Sequence, residues 1–290
     1  MPGLSKRHGG MIFALVTACG LGAITTLAKV FYDDGGDAVT LMLVRLLAST
    51  LVFGLLLACR RDSFRVARAQ RTSLGMIGLF WSGGMICYLS AVETISVSLA
   101  VLIFYTYPLL VLAWSIFRRQ LPPSPFLIAL FMAAFYGLYL ALSGSEIHLG
   151  FGGVLFALLA SCGAAFTFIR GARVAPGLSP LVMTFWINAT GLLLILPLLL
   201  NGVAMPATMQ GMTALVLATL FYLVAILSQF EALARLPAAR AAFLLNLEPV
   251  VSIVLARLVL DETLSLTQAS GVILVITVII LSLRHKPSAA

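Results

Sequence analysis

The sequence predicts an all-α integral membrane protein, with ten transmembrane helices arranged as two inverted five-helix repeats. The 290 residues are 61% hydrophobic and only 10% charged, with a mean hydropathy of +1.11, whereas soluble domains carry about 25% charged residues. Basic residues gather in every second loop, and the two halves of the chain resemble each other at a fixed offset. The chain is therefore expected to lie in a lipid bilayer.

Ten apolar runs are long enough to cross a bilayer, which takes about 20 mostly apolar residues per helix. The runs lack the alternating pattern of a transmembrane barrel, and only helices or closed barrels satisfy every backbone group in lipid. The predicted helices are residues 11–31, 39–59, 73–92, 97–117, 124–144, 150–169, 178–200, 211–231, 240–259 and 264–283. The first run lacks a clear cleavage site, so we interpret it as a retained helix and not as a signal peptide.

The basic residues predict how the chain is oriented. Fifteen of the 18 Lys and Arg residues lie in the tails or in alternate loops: Lys6, Arg7, Arg60, Arg61, Arg65, Arg68, Arg71, Arg118, Arg119, Arg170, Arg173, Arg235, Arg240, Arg284 and Lys286. The positive-inside rule then places both termini in the cytoplasm. One helix more or fewer would scatter these loops over both faces, so the alternation also supports ten spans. The charge forms no single stripe, and no nucleic-acid partner is expected.

A constant offset, close to half the length of the chain, relates the two halves and superposes Pro108 on Pro249. Both prolines lie inside predicted spans, where they are expected to break the helix and act as hinges. We divide the chain into repeats at residues 1–145 and 146–290. Because each repeat has an odd number of spans, the second crosses the membrane upside down. Inverted repeats are typical of secondary transporters, whose substrate site lies near the midplane where the repeats meet.

Several motifs match a known family. The first half contains GLGAITTLAKV and TLMLVRLLAST, and the second contains the more specific stretch ALARLPAARAAFLLNLEPVVSIVLARLVLDETLSLTQASGVILVITVII. That stretch has a glutamate–proline pair in an apolar helix, an acidic pair at the helix end, and then Gln and Gly before the last helix. The chain resembles the drug/metabolite transporter superfamily, specifically its ten-helix EamA type, except that FRRQLPPSP replaces the usual acidic turn in the first half. The resemblance implies a plasma (inner) membrane carrier of small metabolites, often an exporter, without a bound cofactor.

Ionisable groups inside the spans are the first candidates for a functional site, because they are costly in lipid. Glu248 is the deepest, midway along the ninth span, and could bind an ammonium group or carry a proton. Pro249 removes a backbone donor, so carbonyl groups near Asn246 and Leu247 are expected to be available to a substrate. The structural alternative is that Glu248 is ion-paired to a neighbouring helix.

Arg45 and Lys29 are further charged candidates for substrate contact. Arg45 could dock a substrate carboxylate through two hydrogen bonds, or pair with Glu248 or another acid, and we favour the pairing. Lys29 lies nearer a span end and aligns with Arg170 in the repeat, which favours an anchor at the headgroups. Other charges have structural interpretations as a local helical pair or as solvated helix ends: Arg257, Asp261, Glu262, Glu93 and Glu231.

Polar aromatic side chains are the second group of candidates. They are Trp81, Tyr88, Tyr105, Tyr107, Trp186 and Tyr222. For each residue alone, packing or an interfacial position is favoured over substrate binding. Tyr107 aligns with Glu248 in the repeat, so these two are expected to face one central cavity from opposite halves.

These features together predict a secondary transporter that works by alternating access, with amino acids or related amphipathic solutes as favoured cargo and export as the favoured direction. A drug or nucleotide-linked solute carrier of the same fold is the alternative, and a membrane-embedded enzyme or a channel is the alternative of a different class. The sequence lacks the common zinc, nucleophile and P-loop patterns, and its four cysteines lack metal or disulfide spacing. We expect no enzymatic activity, cofactor or metal, and protons are the candidate coupling ion.

Overall fold

The described part of the chain is helical throughout its regular structure and contains the ten predicted spans. The computed structural model describes residues 2–61, 64–92, 94–143, 150–259 and 264–284. Its helices are α1 (Pro2–Asp33), α2 (Ala38–Cys59), α3 (Arg68–Val92), α4 (Val97–Phe104), α5 (Tyr107–Phe117), α6 (Pro125–Ala141), α7 (Phe151–Val174), α8 (Pro180–Ile195), α9 (Met209–Leu233), α10 (Ala238–Leu244), α11 (Leu247–Val259) and α12 (Leu266–Arg284). Within these residues nine spans are long enough to cross a membrane, and α6 is a shorter apolar helix. The predicted fold class is confirmed.

Polar side chains cap helices where the apolar runs begin. The Asp37 carboxylate accepts a hydrogen bond from the Thr40 amide (2.6 Å) ahead of α2, and the Thr208 hydroxyl accepts one from the Gly211 amide (3.3 Å) ahead of α9. Such caps satisfy amides that the first turn leaves without partners. The Asp34 carboxylate also accepts hydrogen bonds from the amide and the hydroxyl of Thr208. The end of α1 is thereby tied to the start of α9.

Two spans are each split into two half-helices. Residues 105–106 separate α4 from α5, and residues 245–246 separate α10 from α11. In each break the second residue donates from its side chain to the carbonyl three residues earlier, at 2.7 Å from Thr106 and at 2.8 Å from Asn246. The proline that follows is closer to the cap in the first repeat than in the second. The second repeat therefore has one extra residue between the cap and the proline.

Both breaks lie just ahead of the predicted hinge prolines. Pro108 is the second residue of α5 and Pro249 the third of α11, positions at which a helix needs no backbone N–H. In a continuous helix, Pro249 would leave the Leu245 carbonyl without a donor. The Glu248 amide donates to that carbonyl instead, at 2.9 Å. The Leu245 carbonyl therefore has a donor, and free carbonyl groups near Asn246 and Leu247 stay a prediction.

Helices of one repeat pack against helices of the other. α1 packs on α9 and α3 on α7, while α2 packs on α8 and α6 on α12. Small residues permit close approach, as is usual between membrane helices. A Cβ atom on Gly20 would lie 3.0 Å from that of Ala225, and one on Gly163 would lie 2.6 Å from the Phe80 carbonyl oxygen. This exchange of partners is what a two-fold relation between inverted repeats requires.

The two ends of the bundle differ. We call the end that carries the basic loops the basic face, and the other end the opposite face. α5 and α10, the half-helices at the basic face, pack on each other, and α10 also packs on α1 and α7. α4 and α11 hold the corresponding places at the opposite face, and these two described helices make at most marginal contact. Among the described residues, the half-helices therefore pack together at the basic face but not at the opposite face.

Candidate solute-binding site

Glu248 lies among tyrosines from three other segments. It is the second residue of α11 and is half-buried. Its charge acts on the hydroxyls of Tyr88 on α3, Tyr105 in the first break and Tyr107 on α5. The Phe104 ring contacts all three tyrosine rings, with centroid distances of 5.5, 5.4 and 5.4 Å respectively. We call Glu248 and the three tyrosines the glutamate cluster.

The glutamate cluster has the chemistry of a site for a cationic group. Tyr105 is 4% exposed, and its hydroxyl neighbours Glu248 without completing a hydrogen bond. A buried hydroxyl without a partner costs about 1–3 kcal/mol and is uncommon. A carboxylate ringed by hydroxyls and aromatic faces can hold an ammonium group by charge and by cation–π contact.

Arg45, on α2, is the centre of a second polar group. Its guanidinium carbon lies 5.0 Å from the centroid of the Tyr222 ring on α9. The Tyr222 hydroxyl donates to Oδ1 of Asn188 on α8 at 2.8 Å, and Asn188 donates from Nδ2 to a carbonyl of its own helix. Trp81 lies beside the Tyr222 hydroxyl, and Tyr32 interacts electrostatically with Arg45. We call these five residues the arginine cluster.

Arg45 and Glu248 do not form the ion pair that we favoured from the sequence. Within the described residues, Arg45 has no acidic side chain in ion-pairing contact and stacks on an aromatic ring instead. Tyr32 interacts electrostatically with Tyr88 as well as with Arg45, so the two clusters are neighbours. Charges without an ionised partner are costly in lipid. The presence of Arg45 and Glu248 inside the spans without an ion pair between them favours a role in holding a ligand.

Trp186 and Lys29 lie outside both clusters. Trp186 is 39% exposed on α8, and its indole Nε1 donates to the Phe64 carbonyl at 3.1 Å, in the segment ahead of α3. The Lys29 side chain is exposed on α1. The structure therefore places Trp186 against the segment ahead of α3, and Lys29 stays a candidate.

Asn246 and Glu231 have structural partners. Asn246 is 3% exposed, and its amide nitrogen caps the break between α10 and α11. Glu231 forms an ion pair with Arg235 one turn later on the same helix end. Three acidic residues considered in the sequence lie outside the described residues: Glu93, Asp261 and Glu262.

Tyr32 and Asn188 belong to the arginine cluster and were missed by sequence reasoning. Asn188 could have been found, because an amide inside a membrane span needs a hydrogen-bonding partner from a neighbouring helix. Trp81 and Tyr222 offered a further signal, since the offset that superposes the two repeats aligns them, and they occupy equivalent places on α3 and α9. No pattern in the sequence distinguished Tyr32 from an ordinary residue at a span end.

Nine membrane-length spans and one shorter apolar helix in the described residues, arranged in two repeats with charged side chains among them, are typical of a multi-pass membrane transporter of small solutes. The chain belongs to the EamA-like transporter family, whose sequence profile matches residues 8–143 and 151–284. The resemblance drawn from the glutamate–proline stretch is therefore confirmed.

Individual proteins are similar over nearly the whole length of the chain. A protein of Archaeoglobus fulgidus described as an uncharacterized transporter is 26% identical over 281 residues, covering 96% of this chain and 97% of the relative. A solved crystal structure matches with a TM-score of 0.75 at 20% identity, covering 93% of this chain and 96% of that one. At that identity the structural match shows a shared fold.

Proposed function

We propose that the protein is a secondary transporter of small solutes that carry both a cationic and an anionic group, with amino acids as the representative class. The observation that supports this is the placement of Arg45 and Glu248, which lie in neighbouring clusters without pairing with each other. The arginine cluster suits a carboxylate, which a guanidinium binds through two hydrogen bonds. The glutamate cluster suits an amine, and the adjoining aromatic rings suit an apolar side chain.

The charge of the loops predicts how the chain is oriented in the membrane. The positive-inside rule assigns the basic face, and with it both chain termini, to the cytoplasm of a plasma (inner) membrane. The conformation with α5 and α10 in contact then faces outward. Alternating access would open the basic face and close the opposite face. We propose export as the net direction, with Glu248 as the group that carries a proton in exchange for the amine.

A lipophilic cationic drug is the competing cargo, because the glutamate cluster alone combines a carboxylate with aromatic rings. The two cargos differ in their need for Arg45. A zwitterion uses both clusters, whereas a lipophilic cation has no anionic group for the arginine cluster and would be repelled by its charge. Sensitivity to Arg45 therefore separates the two cargos.

Counterflow into proteoliposomes tests the proposed function. Proteoliposomes that contain the purified protein are preloaded with an unlabelled solute: an amino acid, its decarboxylated amine, a purine or a lipophilic cation. Entry of the same solute in labelled form is then followed. We expect counterflow of the amino acid and a loss of about tenfold or more in Arg45→Gln, the value of a charge-assisted hydrogen bond. Trp186→Phe is a matched control outside the clusters and is expected to change transport less than about twofold. Counterflow of the cation that improves in Arg45→Gln would overturn the proposal.

A further inference from the structure

One buried polar side chain belongs to neither cluster. Gln229, on α9, is 1% exposed, and neither Nε2 nor Oε1 has a hydrogen-bond partner. Buried amides are almost always paired, because an unpaired donor or acceptor costs folding free energy. Gln229 is therefore expected to find its partners in another conformation of the protein.

The position of Gln229 on α9 directs it toward α10. It lies seven residues beyond Tyr222, about two helical turns, on the same side of the helix and nearer the basic face. Ala225 packs on α1, and Leu233 packs on α7. By helical geometry Gln229 lies between these two directions on α9, and α10 packs on α1, α7 and α9. Six of the seven α10 residues are buried and apolar, so α10 offers few side-chain partners to a neighbouring amide.

The equivalent position in the first repeat is Tyr88. The repeat offset that aligns Trp81 with Tyr222 also aligns Tyr88 with Gln229. Tyr88 lies on α3 in edge-on contact with Phe104 of α4, the half-helix that corresponds to α10. Tyr88 is half-buried and belongs to the glutamate cluster. The same position of the repeat therefore borders the solute space on α3 and is covered on α9.

We propose that α10 is the gate at the basic face and that Gln229 becomes a solute contact when this gate opens. The inference rests on the proposed transport function and adds to it a residue that acts from one side of the membrane only. In inverted-repeat transporters the two repeats exchange roles between the inward-facing and outward-facing states. After that exchange Gln229 would take the place that Tyr88 has now, and its amide would hydrogen-bond the polar group of the solute.

The surroundings of α10 fit a gate. The break at residues 245–246 separates it from α11, so it can tilt without bending a continuous helix. A pocket of about 240 Å³ opens beside its first residues, between Leu236–Ala238, Ser115 at the end of α5 and Arg173 on α7. This pocket lies at the basic face, where a solute released past α10 would leave.

Half-saturation constants measured separately from each face test this assignment. Gln229→Leu removes the amide at similar volume, and Tyr88→Phe removes the hydroxyl at the equivalent position. We expect Gln229→Leu to raise the half-saturation constant at the basic face about tenfold, the value of one hydrogen bond, and to change the opposite face less than twofold. Tyr88→Phe should show the reverse. Equal changes at both faces in Gln229→Leu would overturn the proposal.

Thermal stability separates a transport role from a structural one. Replacing a buried amide without partners by an apolar side chain stabilises a protein, so Gln229→Leu should raise Tm while it weakens transport from the basic face. A lowered Tm, with the sided effect absent, would show that Gln229 is a packing residue. Gln229→Asn keeps the amide and is expected to retain more affinity at the basic face than Gln229→Leu.

Thiol labelling tests the gate without any solute. In a background with Cys19, Cys59, Cys87 and Cys162 replaced, Gln229→Cys should react with a membrane-impermeant maleimide from the basic face alone, and Tyr88→Cys from the opposite face alone. Reaction of Gln229→Cys from the opposite face, or no reaction from either face, would refute the gate. Labelling as expected in a protein that transports none of the tested solutes would leave the gate standing and reject the proposed function.

Discussion

The two broken spans, α4–α5 and α10–α11, share one construction and differ in their surroundings. In both, a side chain in the break caps the preceding half-helix, and a proline follows in the first turn of the next. Beside the proline stands Tyr107 in one span and Glu248 in the other. Among the described helices, α10 packs on α1, α5 and α7, whereas α4 packs on α7 and α3 and makes at most marginal contact with α11.

This difference separates the mechanical role of the breaks from their chemical role. We call each break, with its cap and proline, a joint; alternating access would need one in each repeat. Only the second joint has a carboxylate beside its proline. The extra residue between Asn246 and Pro249 places Glu248 inside the first turn of α11, where it meets tyrosines that all belong to the first repeat. The joints are duplicated, and the site is divided between the repeats.

The largest expected effect comes from the paired residues beside the prolines. Glu248→Gln should lower kcat/KM for an amino acid about a hundredfold, because a charge-assisted contact of up to about 3 kcal/mol is lost. Tyr107→Phe, at the aligned position, removes a neutral hydroxyl and should lower it only several-fold. Initial rates in proteoliposomes measure both. Glu248→Gln should also flatten the pH dependence of transport if its carboxylate carries the proton.

Glu231→Gln is the matched control for that comparison. Glu231 also lies on a membrane helix, but it pairs with Arg235 near the helix end, and such exposed pairs contribute little. Transport should be unchanged within about twofold. If Glu248→Gln and Tyr107→Phe lowered kcat/KM equally, the chemical difference between the joints would be disproved.

The fold and the site differed in how far they could be predicted from the sequence. The ten spans could be predicted from hydropathy and loop charge, because both are local properties of the sequence. The structure has apolar helices at these spans. The surroundings of Arg45 were predicted wrongly, because its contact with Tyr222 joins residues far apart in the chain and depends on how α2 meets α9. Trp186 and Tyr88 are both polar aromatic side chains inside predicted spans, yet Trp186 lies on an exposed side of α8. The contact of Arg45 and the exposure of Trp186 both depend on how each helix is rotated about its axis, which hydropathy does not encode.

The hinge prolines are expected to have an intermediate effect. Pro249→Ala restores a backbone N–H that can donate to the Leu245 carbonyl, and it favours a continuous helix through the break. We expect kcat to fall several-fold with little change in KM, because the gate moves more slowly while the site is intact. Pro108→Ala should do the same in the first repeat. Single-turnover and steady-state rates distinguish slow movement from weak binding, and a rise in KM without a fall in kcat would argue against a hinge.

The caps of the two breaks should differ least in transport and most clearly in stability. Asn246→Leu removes one hydrogen bond and is expected to cost about 1 kcal/mol of unfolding free energy. Thr106→Val should cost more, about 1–3 kcal/mol, because the Thr106 hydroxyl also shares a hydrogen bond of 2.8 Å with the Ser161 hydroxyl, and Ser161 is fully buried on α7. Thermal unfolding in one detergent measures both, and Thr106→Ser, which keeps the hydroxyl, should recover most of the loss. The larger cost at Thr106 would mean that the first joint is anchored to α7 while the second is tied only to its own half-helix, as expected if α10 is the part that moves.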